Sequence, residues 1–227
     1  MTVPSQPTTA TGTMATPSAD PEAPAPAALP PVDHVTVAID GIDIVVPKGT
    51  LIIRAAEQVG IEIPRFCDHP LLEPVAACRA CLIEIEGQPK PQPACAIPVA
   101  DGMRVRTSGT SDMAATAQRG VMEFLLINHP LDCPVCDKGG ECPLQNLTMA
   151  HGPAVSRYLY DEKHHAEKHV PLGDLIFLDR ERCIQCARCI RFQDRVAGEP
   201  VLSFYQRGRN TDIVTNSEPP FDSIFSG

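Results

Sequence analysis

The chain has 227 residues, a formal net charge of −9 and a pI near 5.2. An acidic chain in which only 4% of residues are aromatic lacks the clustered cations and stacking platforms of nucleic-acid binders, which argues against nucleic acid as a partner. No window of about 18 apolar residues occurs, so we expect no direct insertion into a membrane.

The first segment of the chain, residues 1–33, is rich in Pro, Ala and Thr. Such a composition buries too little apolar surface to offset the entropy lost on ordering, and it predicts a disordered tail. The segment also lacks the basic start and apolar run of a secretory signal. We therefore expect folded structure from residue 34 onward.

A β-hairpin and a helix are predicted next. The apolar-rich segments 35–39 and 42–46 flank an Asp-Gly turn, a pattern typical of a two-residue hairpin loop. Thr50 is expected to cap the helix that follows, and Gly60 to end it. The predicted apolar face of this helix consists of Leu51, Ile52, Ala55, Ala56 and Val59.

Two more alternating segments, 82–86 and 103–107, follow a loop that begins at Pro64. Alternation of apolar and polar residues predicts strands with one buried face. Together with the hairpin they predict a mixed four-stranded sheet packed on one helix, in a first domain at 34–110.

Ser111 is expected to cap a second helix, which must end near His129 because the residue before a proline disfavours helical backbone. This helix opens a second predicted domain at 111–150. Its predicted apolar side consists of Met113, Ala117, Val121, Phe124 and Leu125.

The rest of the chain is predicted to be largely irregular. Residues 132–147 are turn-rich, with two glycines and two Cys-Pro pairs, and are expected to wrap around a bound group instead of forming a regular element. A polar linker at 151–171 leads to an apolar segment at 175–178. A short helix is expected to end near Val196, within a third predicted region at 151–227.

All ten cysteines fall into three groups, and nothing in the sequence directs the chain to an oxidising compartment. Closely spaced thiols in a reducing compartment indicate metal binding. The first group is Cys67, Cys78, Cys81 and Cys95; the second is His129, Cys133, Cys136 and Cys142; the third is Cys183, Cys186 and Cys189.

The first group has the spacing C-x10-C-x2-C-x13-C, a stretched form of the plant-type ferredoxin pattern that holds a [2Fe-2S] cluster. The predicted order of hairpin, helix, cysteine loop and closing strands is the β-grasp order in which such clusters occur. A structural zinc site with four thiolates is the alternative, although zinc sites more often pair two C-x2-C units.

The second group, H-x3-C-x2-C-x5-C, offers one imidazole and three thiolates. This ligand set suits either a [4Fe-4S] cluster or a zinc ion, and spacing alone leaves both open. A further alternative is that His129 is a capping or solvated side chain at the end of its helix.

The third group, C-x2-C-x2-C, is the run of bacterial-type ferredoxins, in which a more distant cysteine completes a [4Fe-4S] cluster. No cysteine follows Cys189 in this sequence, so the fourth ligand is absent from it. Three nearby cations are expected either to offset the charge of a cluster or to be solvated: Arg182, Arg188 and Arg191.

The remaining histidines are interpreted as solvated side chains. The pattern H-H-x3-H at 164–169 lies in the polar linker, where a solvated face is favoured over a metal site. His34 and His151 have the same interpretation, and His69 would at most contact a ligand of the first group. No Walker loop, G-x-G-x-x-G motif or nucleophile with its base is present, so no catalytic residue and no site for NADH, flavin or quinone is predicted.

Taken together, the motifs resemble one family. R-F-C-D-H-P-L-L (65–72), A-C-R-A-C-L-I-E-I-E-G (77–87) and P-A-C-A-I-P-V (93–99) precede H-P-L-D-C-P-V-C-D-K-G-G-E-C-P-L-Q (129–145) and R-C-I-Q-C-A-R-C-I-R-F (182–192). Over residues 35–227 the chain is similar to the N-terminal region of the large iron-sulfur subunit of bacterial NADH:quinone oxidoreductase, respiratory complex I. The 129–145 motif is the most specific of these.

The resemblance implies an α+β fold, in which a β-grasp [2Fe-2S] ferredoxin-like domain is followed by small helical or irregular iron-sulfur domains. It implies a [2Fe-2S] cluster on the first group, a [4Fe-4S] cluster on the second with His129 as a ligand, and three corners of a second [4Fe-4S] cluster on the third. The family's fourth corner follows a stretch similar to residues 221–227, so the chain is expected to be truncated and to hold its third cluster poorly or not at all.

The implied function is the transfer of single electrons from an NADH- and flavin-binding subunit towards a quinone site, without a substrate site in this chain. The implied partners are that subunit and others of the peripheral arm, on the cytoplasmic side of the membrane. Two alternatives remain: the small diaphorase subunit of an NAD-linked hydrogenase, which is similar over the same region, and a zinc-stabilised adaptor without redox activity.

Overall fold

The computed structural model describes residues 33–216 and 220–226. The predicted disordered tail at 1–33 lies outside the described residues, except for Asp33. The described strands are β1 (His34–Ile39), β2 (Ile42–Pro47), β3 (Leu82–Ile85), β4 (Gln92–Pro93), β5 (Met103–Arg106), β6 (Val170–Pro171), β7 (Phe177–Leu178), β8 (Leu202–Tyr205) and β9 (Asp212–Thr215), and the α-helices are α1 (Ile52–Gln58), α2 (Asp112–Ile127), α3 (Pro143–His151) and α4 (Arg188–Phe192).

The first five strands form one mixed sheet in the order β2-β1-β5-β3-β4. The hairpin pairs β1 with β2 antiparallel, with Ile39 opposite Ile42, while β1 runs parallel to β5. Strand β3 is antiparallel to both β5 and β4. The predicted mixed sheet is confirmed, but it has five strands, because the two-residue β4 is too short to leave an alternating pattern in the sequence.

Helix α1 covers one face of this sheet, and Ile52, Ile53, Ala55 and Ala56 are buried in the main core with strand residues such as Val37. These side chains fix the helix to the sheet through apolar burial. The predicted α+β fold with a ferredoxin-like first part is therefore confirmed.

The predicted cap of α1 is wrong. The N-cap residue is Leu51, which makes no side-chain capping bond, and the hydroxyl of Thr50 instead donates to the carbonyl of Pro47 at 2.7 Å. Packing of the helix on the sheet makes up for a missing cap, because tertiary burial supplies most helical stability in proteins. Gly60 takes the left-handed conformation, with φ +76°, expected just beyond a helix end.

Helix α2 begins as predicted, since Ser111 Oγ accepts a hydrogen bond from the backbone N–H of Ala114 at 3.1 Å. Its predicted apolar side is right only in part. Val121 and Leu125 pack on a buried cluster, but Met113 and Phe124 are exposed, and Ala114, Gln118 and Met122 are buried instead. Gln118 can be buried because its side-chain amide donates to the carbonyl of Leu82 in β3 at 2.9 Å.

Loss of the Ser111 hydroxyl is expected to destabilise the fold. Ser111→Ala removes the cap and also the bond that Ser111 Oγ donates to the carboxylate of Glu84, so we expect the free energy of unfolding to fall by about 1 kcal/mol or more. Urea titration measures the change. Ser108→Ala is the matched control, and an equal loss in both variants would contradict a capping role.

The remainder of the described chain consists of short elements. Helix α3 begins at Pro143, so the prediction that residues 132–147 form no regular element is wrong over 143–147; proline suits the first helical turn, where no N–H partner is needed. Helix α4 continues into a π-helical turn at Gln193–Ala197, in agreement with the predicted short helix. Within the described part of the chain, no helix is long and apolar enough to cross a membrane.

Candidate iron-sulfur cluster sites

The first cysteine group is brought together beside the sheet. Cys67, Cys81 and Cys95 are buried and Cys78 is half-buried. The backbone N–H of Cys67 lies 3.4 Å from Cys78 Sγ, and the Cys67 thiol contacts those of both Cys78 and Cys95. Cys81 and Cys95 also contact each other. The structure thus unites all four residues of the predicted [2Fe-2S] set, which are separated by up to 28 positions in the sequence.

Crowding of these thiols shifts their pKa values in opposite directions. Contact with the Cys67 thiol, together with burial, raises the pKa of Cys78, whereas contact with Cys95 lowers the pKa of Cys81. For Cys95, contact with Cys67 lowers the pKa, but contact with Cys81 and burial outweigh it and raise the value to about 12. Four thiolates at such a site require a bound cationic centre, and the donor set fits an iron-sulfur cluster.

The backbone between Cys78 and Cys81 is shaped to surround a bound group. Arg79 has φ +59°, in the left-handed region that non-glycine residues rarely adopt. The backbone N–H of Ala80 lies near the Cys78 sulfur and opposes the rise in the pKa of that thiol. Left-handed residues turn successive N–H groups to one side and create an anion-binding concavity, which suits an anionic cluster.

The second group is only partly assembled. His129, Cys136 and Cys142 line one cavity of about 450 Å³, whereas Cys133 is exposed and does not line it. Burial, and then the nearby Lys163 cation, lower the pKa of His129, which favours the neutral imidazole that metal binding needs. Three of the four predicted ligands therefore share a cavity, and their donor atoms suit a [4Fe-4S] cluster.

The loop between Cys133 and Cys142 is tightly closed. A Cβ atom at Gly139 would lie 2.9 Å from the carbonyl oxygen of Cys133 and 3.1 Å from that of Cys136, too close for any side chain. The backbone N–H of Gly139 also donates to the carbonyl of Cys136 at 2.9 Å. Glycine at this position thus lets the ligand loop turn back on itself.

The third group lies at the start of α4. Cys183 and Cys186 are half-buried and Cys189 is exposed, and burial, together with repulsion among the three thiols, raises the pKa of Cys183 and Cys189. The intervening Gln185 and Ala187 both have left-handed backbone, with φ +54° and +60°. The N–H of Gln185 points at Cys183 Sγ, 3.4 Å away. Left-handed backbone between the cysteines thus shapes the third site as it shapes the first.

All ten cysteines are free, so no disulfide withdraws a thiol from metal binding. Within residues 33–216 and 220–226, no three His, Cys, Asp or Glu side chains converge on a point that would hold a single metal ion. Ligands of a cluster bind different iron atoms, and they need not converge on one point.

Two of the arginines that were expected either to offset cluster charge or to be solvated connect the first and third sites through hydrogen bonds. Arg191 of α4 donates to the carbonyls of Glu73, at 2.6 Å, and of Cys67, while Arg188 donates to the carbonyl of Asp68. These bonds join residues 118 to 124 positions apart. They fix the helix that carries Cys189 against the loop that carries the first ligand.

Arg182 is engaged differently. It forms ion pairs with Asp132 at 3.0 Å and with Asp179 at 3.2 Å, and Lys168 joins the same two carboxylates. Asp132 immediately precedes Cys133. Arg182 and Lys168 therefore connect the second ligand loop to the segment that precedes the third ligand group.

A small apolar cluster lies between the three sites, and sequence reasoning missed it. We call it the shared apolar cluster; its buried members are Phe66, Ala80, Met122 and Leu144. One cysteine of each group packs against it: Cys78, Cys142 and Cys186. The three ligand groups thus rest on one common packing unit.

The linker histidines are exposed, as predicted, and none joins a metal-binding group. His165 Nδ1 lies 2.8 Å from a carboxylate oxygen of Glu181, and His169 stacks on Phe177 with ring centroids 4.1 Å apart. Sequence reasoning also missed Asp68, the buried residue that follows Cys67. Its carboxylate forms an ion pair with Arg54 at 2.6 Å. Charge pairing of this kind permits burial of a carboxylate beside the first site.

Family models match three consecutive parts of the chain. A 2Fe-2S iron-sulfur cluster binding domain matches residues 32–110, and an NADH-ubiquinone oxidoreductase-G iron-sulfur binding region matches 118–157. The ferredoxin-like domain of NADH-quinone oxidoreductase subunit 3 matches 173–227. Each matched part contains one of the three ligand groups, which supports [2Fe-2S] and [4Fe-4S] clusters as the cofactors.

Curated relatives agree with these models. The G-type subunit of NADH-quinone oxidoreductase from Streptomyces coelicolor is 60% identical over 201 residues, and that from Mycobacterium tuberculosis is 57% identical over 195. The matches cover 88% and 86% of this chain but only 24% of each relative, so the chain spans about a quarter of their length. The mitochondrial NADH dehydrogenase [ubiquinone] iron-sulfur protein 1 of Solanum tuberosum is 44% identical over 87% of this chain and 26% of its own length.

Among solved structures, a chain of an NAD+-reducing [NiFe]-hydrogenase in the H2-reduced state superposes with a TM-score of 0.71 at 28% identity, covering 82% of this chain and 76% of its own. The hydrogenase resemblance is thus lower in identity than that to the NADH-quinone oxidoreductases. With three matching models in order along the chain and relatives at up to 60% identity, the chain belongs to the family of the iron-sulfur region of the G-type subunit of NADH-quinone oxidoreductase.

Proposed function

We propose that the chain carries electrons within an NADH:quinone oxidoreductase, from the NADH- and flavin-binding subunit towards the quinone site. The proposed ligands are Cys67, Cys78, Cys81 and Cys95 for a [2Fe-2S] cluster; His129, Cys133, Cys136 and Cys142 for a [4Fe-4S] cluster; and Cys183, Cys186 and Cys189 for part of a second [4Fe-4S] cluster. The domain divisions at 34–110, 111–150 and 151–227 are proposed with them.

The observation that carries the proposal is that one cysteine from each of the three ligand groups packs on the shared apolar cluster. When bound, the clusters supply one-electron oxidation and reduction. The chain's own residues bury the first thiols, direct backbone N–H groups at sulfur and exclude water between the sites through Phe66 and Met122. Such residues hold cofactors at fixed separations, and no substrate site is needed for that role.

The proposed partners are the flavin-bearing subunit and other subunits of the peripheral arm. The proposed location is the cytoplasmic face of the membrane, where the chain would be held by these partners. Similarity to multi-subunit oxidoreductases supports this assignment.

Metal analysis tests the proposed function directly. We expect about six iron atoms and matching acid-labile sulfide in the reconstituted 227-residue chain, from one [2Fe-2S] and one [4Fe-4S] cluster, because the third group offers three thiolates only. Reduction should produce EPR signals from both. Stoichiometric zinc without an EPR signal would contradict the proposal and favour a zinc-stabilised adaptor.

A hydrogenase diaphorase subunit is the second candidate, favoured by the structural match at a TM-score of 0.71. Sequencing of the gene beyond Gly227 separates the two. A long continuation, as in the NADH-quinone oxidoreductase relatives, supports the complex I assignment, and a stop codon shortly after one further cysteine supports the hydrogenase.

A further inference from the structure

The segment 151–171 was predicted to be a polar linker, but its side chains bind residues next to the second site. We call this segment the strap. The guanidinium of Arg157 makes two 2.7 Å bonds to Glu123 in α2. Farther along, the N–H of His164 donates to Asn128 Oδ1 at 3.0 Å, and Lys168 pairs with Asp132 at 2.6 Å. Asn128 and Asp132 directly precede the two ligands His129 and Cys133. The strap therefore contacts the backbone region that presents these ligands.

Lys163 makes the densest of these contacts. Its ammonium group donates to the carbonyls of Leu126, Ile127 and His129, at 2.9, 3.0 and 3.0 Å. The first two belong to the last turn of α2, where carbonyls lack the regular helical partner. The carbonyl of Leu126 also accepts the backbone N–H of His129 at 3.2 Å, just beyond the end of the helix. An ammonium group has three donors, so it matches three converging acceptors, and its charge is favourable at a helix C-terminus.

The third bond gives Lys163 a role beyond capping. It fixes the carbonyl of His129 itself, at the junction where α2 ends and the ligand loop begins. Pro130 follows and is buried, so the chain on that side is also constrained. The main chain of His129 is thus held from both sides, and only the side-chain torsions remain to set where the imidazole points.

We propose that Lys163 is the positioning residue for the imidazole of His129, holding its backbone in the geometry that metal ligation needs. This inference rests on one part of the proposed function, namely that His129 is a metal ligand. The same lysine places a positive charge beside the second site, and that charge favours the reduced, more negative form of a cluster.

Two substitutions separate geometry from charge. Lys163→Met removes both the donors and the charge; we expect the second cluster to be lost to an iron chelator on the order of ten times faster, and its midpoint potential to fall. Lys163→Arg keeps the charge, but a planar guanidinium does not fit three carbonyls that converge on one point. It should keep the potential near the wild-type value while still losing the cluster faster.

Pulsed EPR supplies a readout that a general loss of stability would not change selectively. In both Lys163 variants, the 14N hyperfine coupling of the histidine ligand should weaken or broaden, with the [2Fe-2S] signal unchanged. Arg157→Met is the matched control, because it removes one strap cation whose partner lies within α2, away from the ligands; it should match the wild type.

The outcomes distinguish this inference from the proposed function. The positioning role would be overturned if Lys163→Met had the 14N coupling, chelator sensitivity and midpoint potential of the wild type. It would also be overturned if Lys163→Arg restored all three properties completely. Zinc in place of iron in the wild-type chain would overturn the proposed function, and chelator sensitivity would still test whether Lys163 supports metal binding through His129.

Discussion

Cys136→Ala is expected to remove the second cluster and to leave the first intact. The side chain of Cys136 lines the cavity that it shares with His129 and Cys142 and is not part of the shared apolar cluster, so its loss should not disturb the packing between sites. We expect the iron content to fall from about six to about two atoms per chain. Iron analysis and EPR of the reduced protein measure the change.

Val135→Ala is the control for Cys136→Ala, because Val135 adjoins that ligand and its side chain is 74% exposed. It should retain both signals. Cys186→Ala should also leave the first site folded, because Cys186 is only half-buried against the shared apolar cluster and the buried members of that cluster remain. Disappearance of every signal in Cys136→Ala would show instead that the sites fold and bind metal as one unit.

Phe66→Ala is expected to affect all three sites together. Phe66 is only 4% exposed and is a buried member of the shared apolar cluster, on which one cysteine of each group packs. Removal of a buried phenyl ring typically lowers the free energy of unfolding by about 3–5 kcal/mol, through lost burial and the cavity left behind. We expect that loss in urea titration, with faster release of iron from both complete clusters.

Phe124→Ala is the matched control, since the same ring at that position is 78% exposed. Its effect on the free energy of unfolding should stay within about 0.5 kcal/mol. If Phe66→Ala released iron from the [2Fe-2S] site alone, the common packing role of the cluster would be contradicted.

Elements with strong local patterns were predictable from the sequence. The hairpin with its Asp-Gly turn, the buried faces of β3 and β5 and the Ser111 cap follow from residues within a few positions of each other, and all are present. The three Cys and His groups could be proposed as ligand sets from the sequence alone, because metal binding imposes characteristic spacings. The two-residue β4 left no such pattern.

Features that depend on distant residues were not predictable. The buried side of α2 was predicted only in part, because Gln118 looks solvated until its partner, the carbonyl of Leu82, is in place 36 positions away. The strap looked like a linker because its partners lie on α2 and on the second ligand loop. For the same reason, the bonds of Arg188 and Arg191 to distant carbonyls were not predicted; these arginines were expected either to offset the charge of a cluster or to be solvated.

The shared apolar cluster also limits how the chain can be divided for protein engineering. The family model of the first part ends at residue 110, yet Phe66 and Ala80 from that part pack against Met122 and Leu144 beyond it. The main core around Ile52 and Ile53 would remain in an excised fragment ending at 110. Phe66, however, would lose its contacts with Met122 and Leu144 and become exposed. The newly exposed apolar surface of such a fragment would promote self-association. A soluble fragment that contains only the first site would therefore need polar substitutions at that surface.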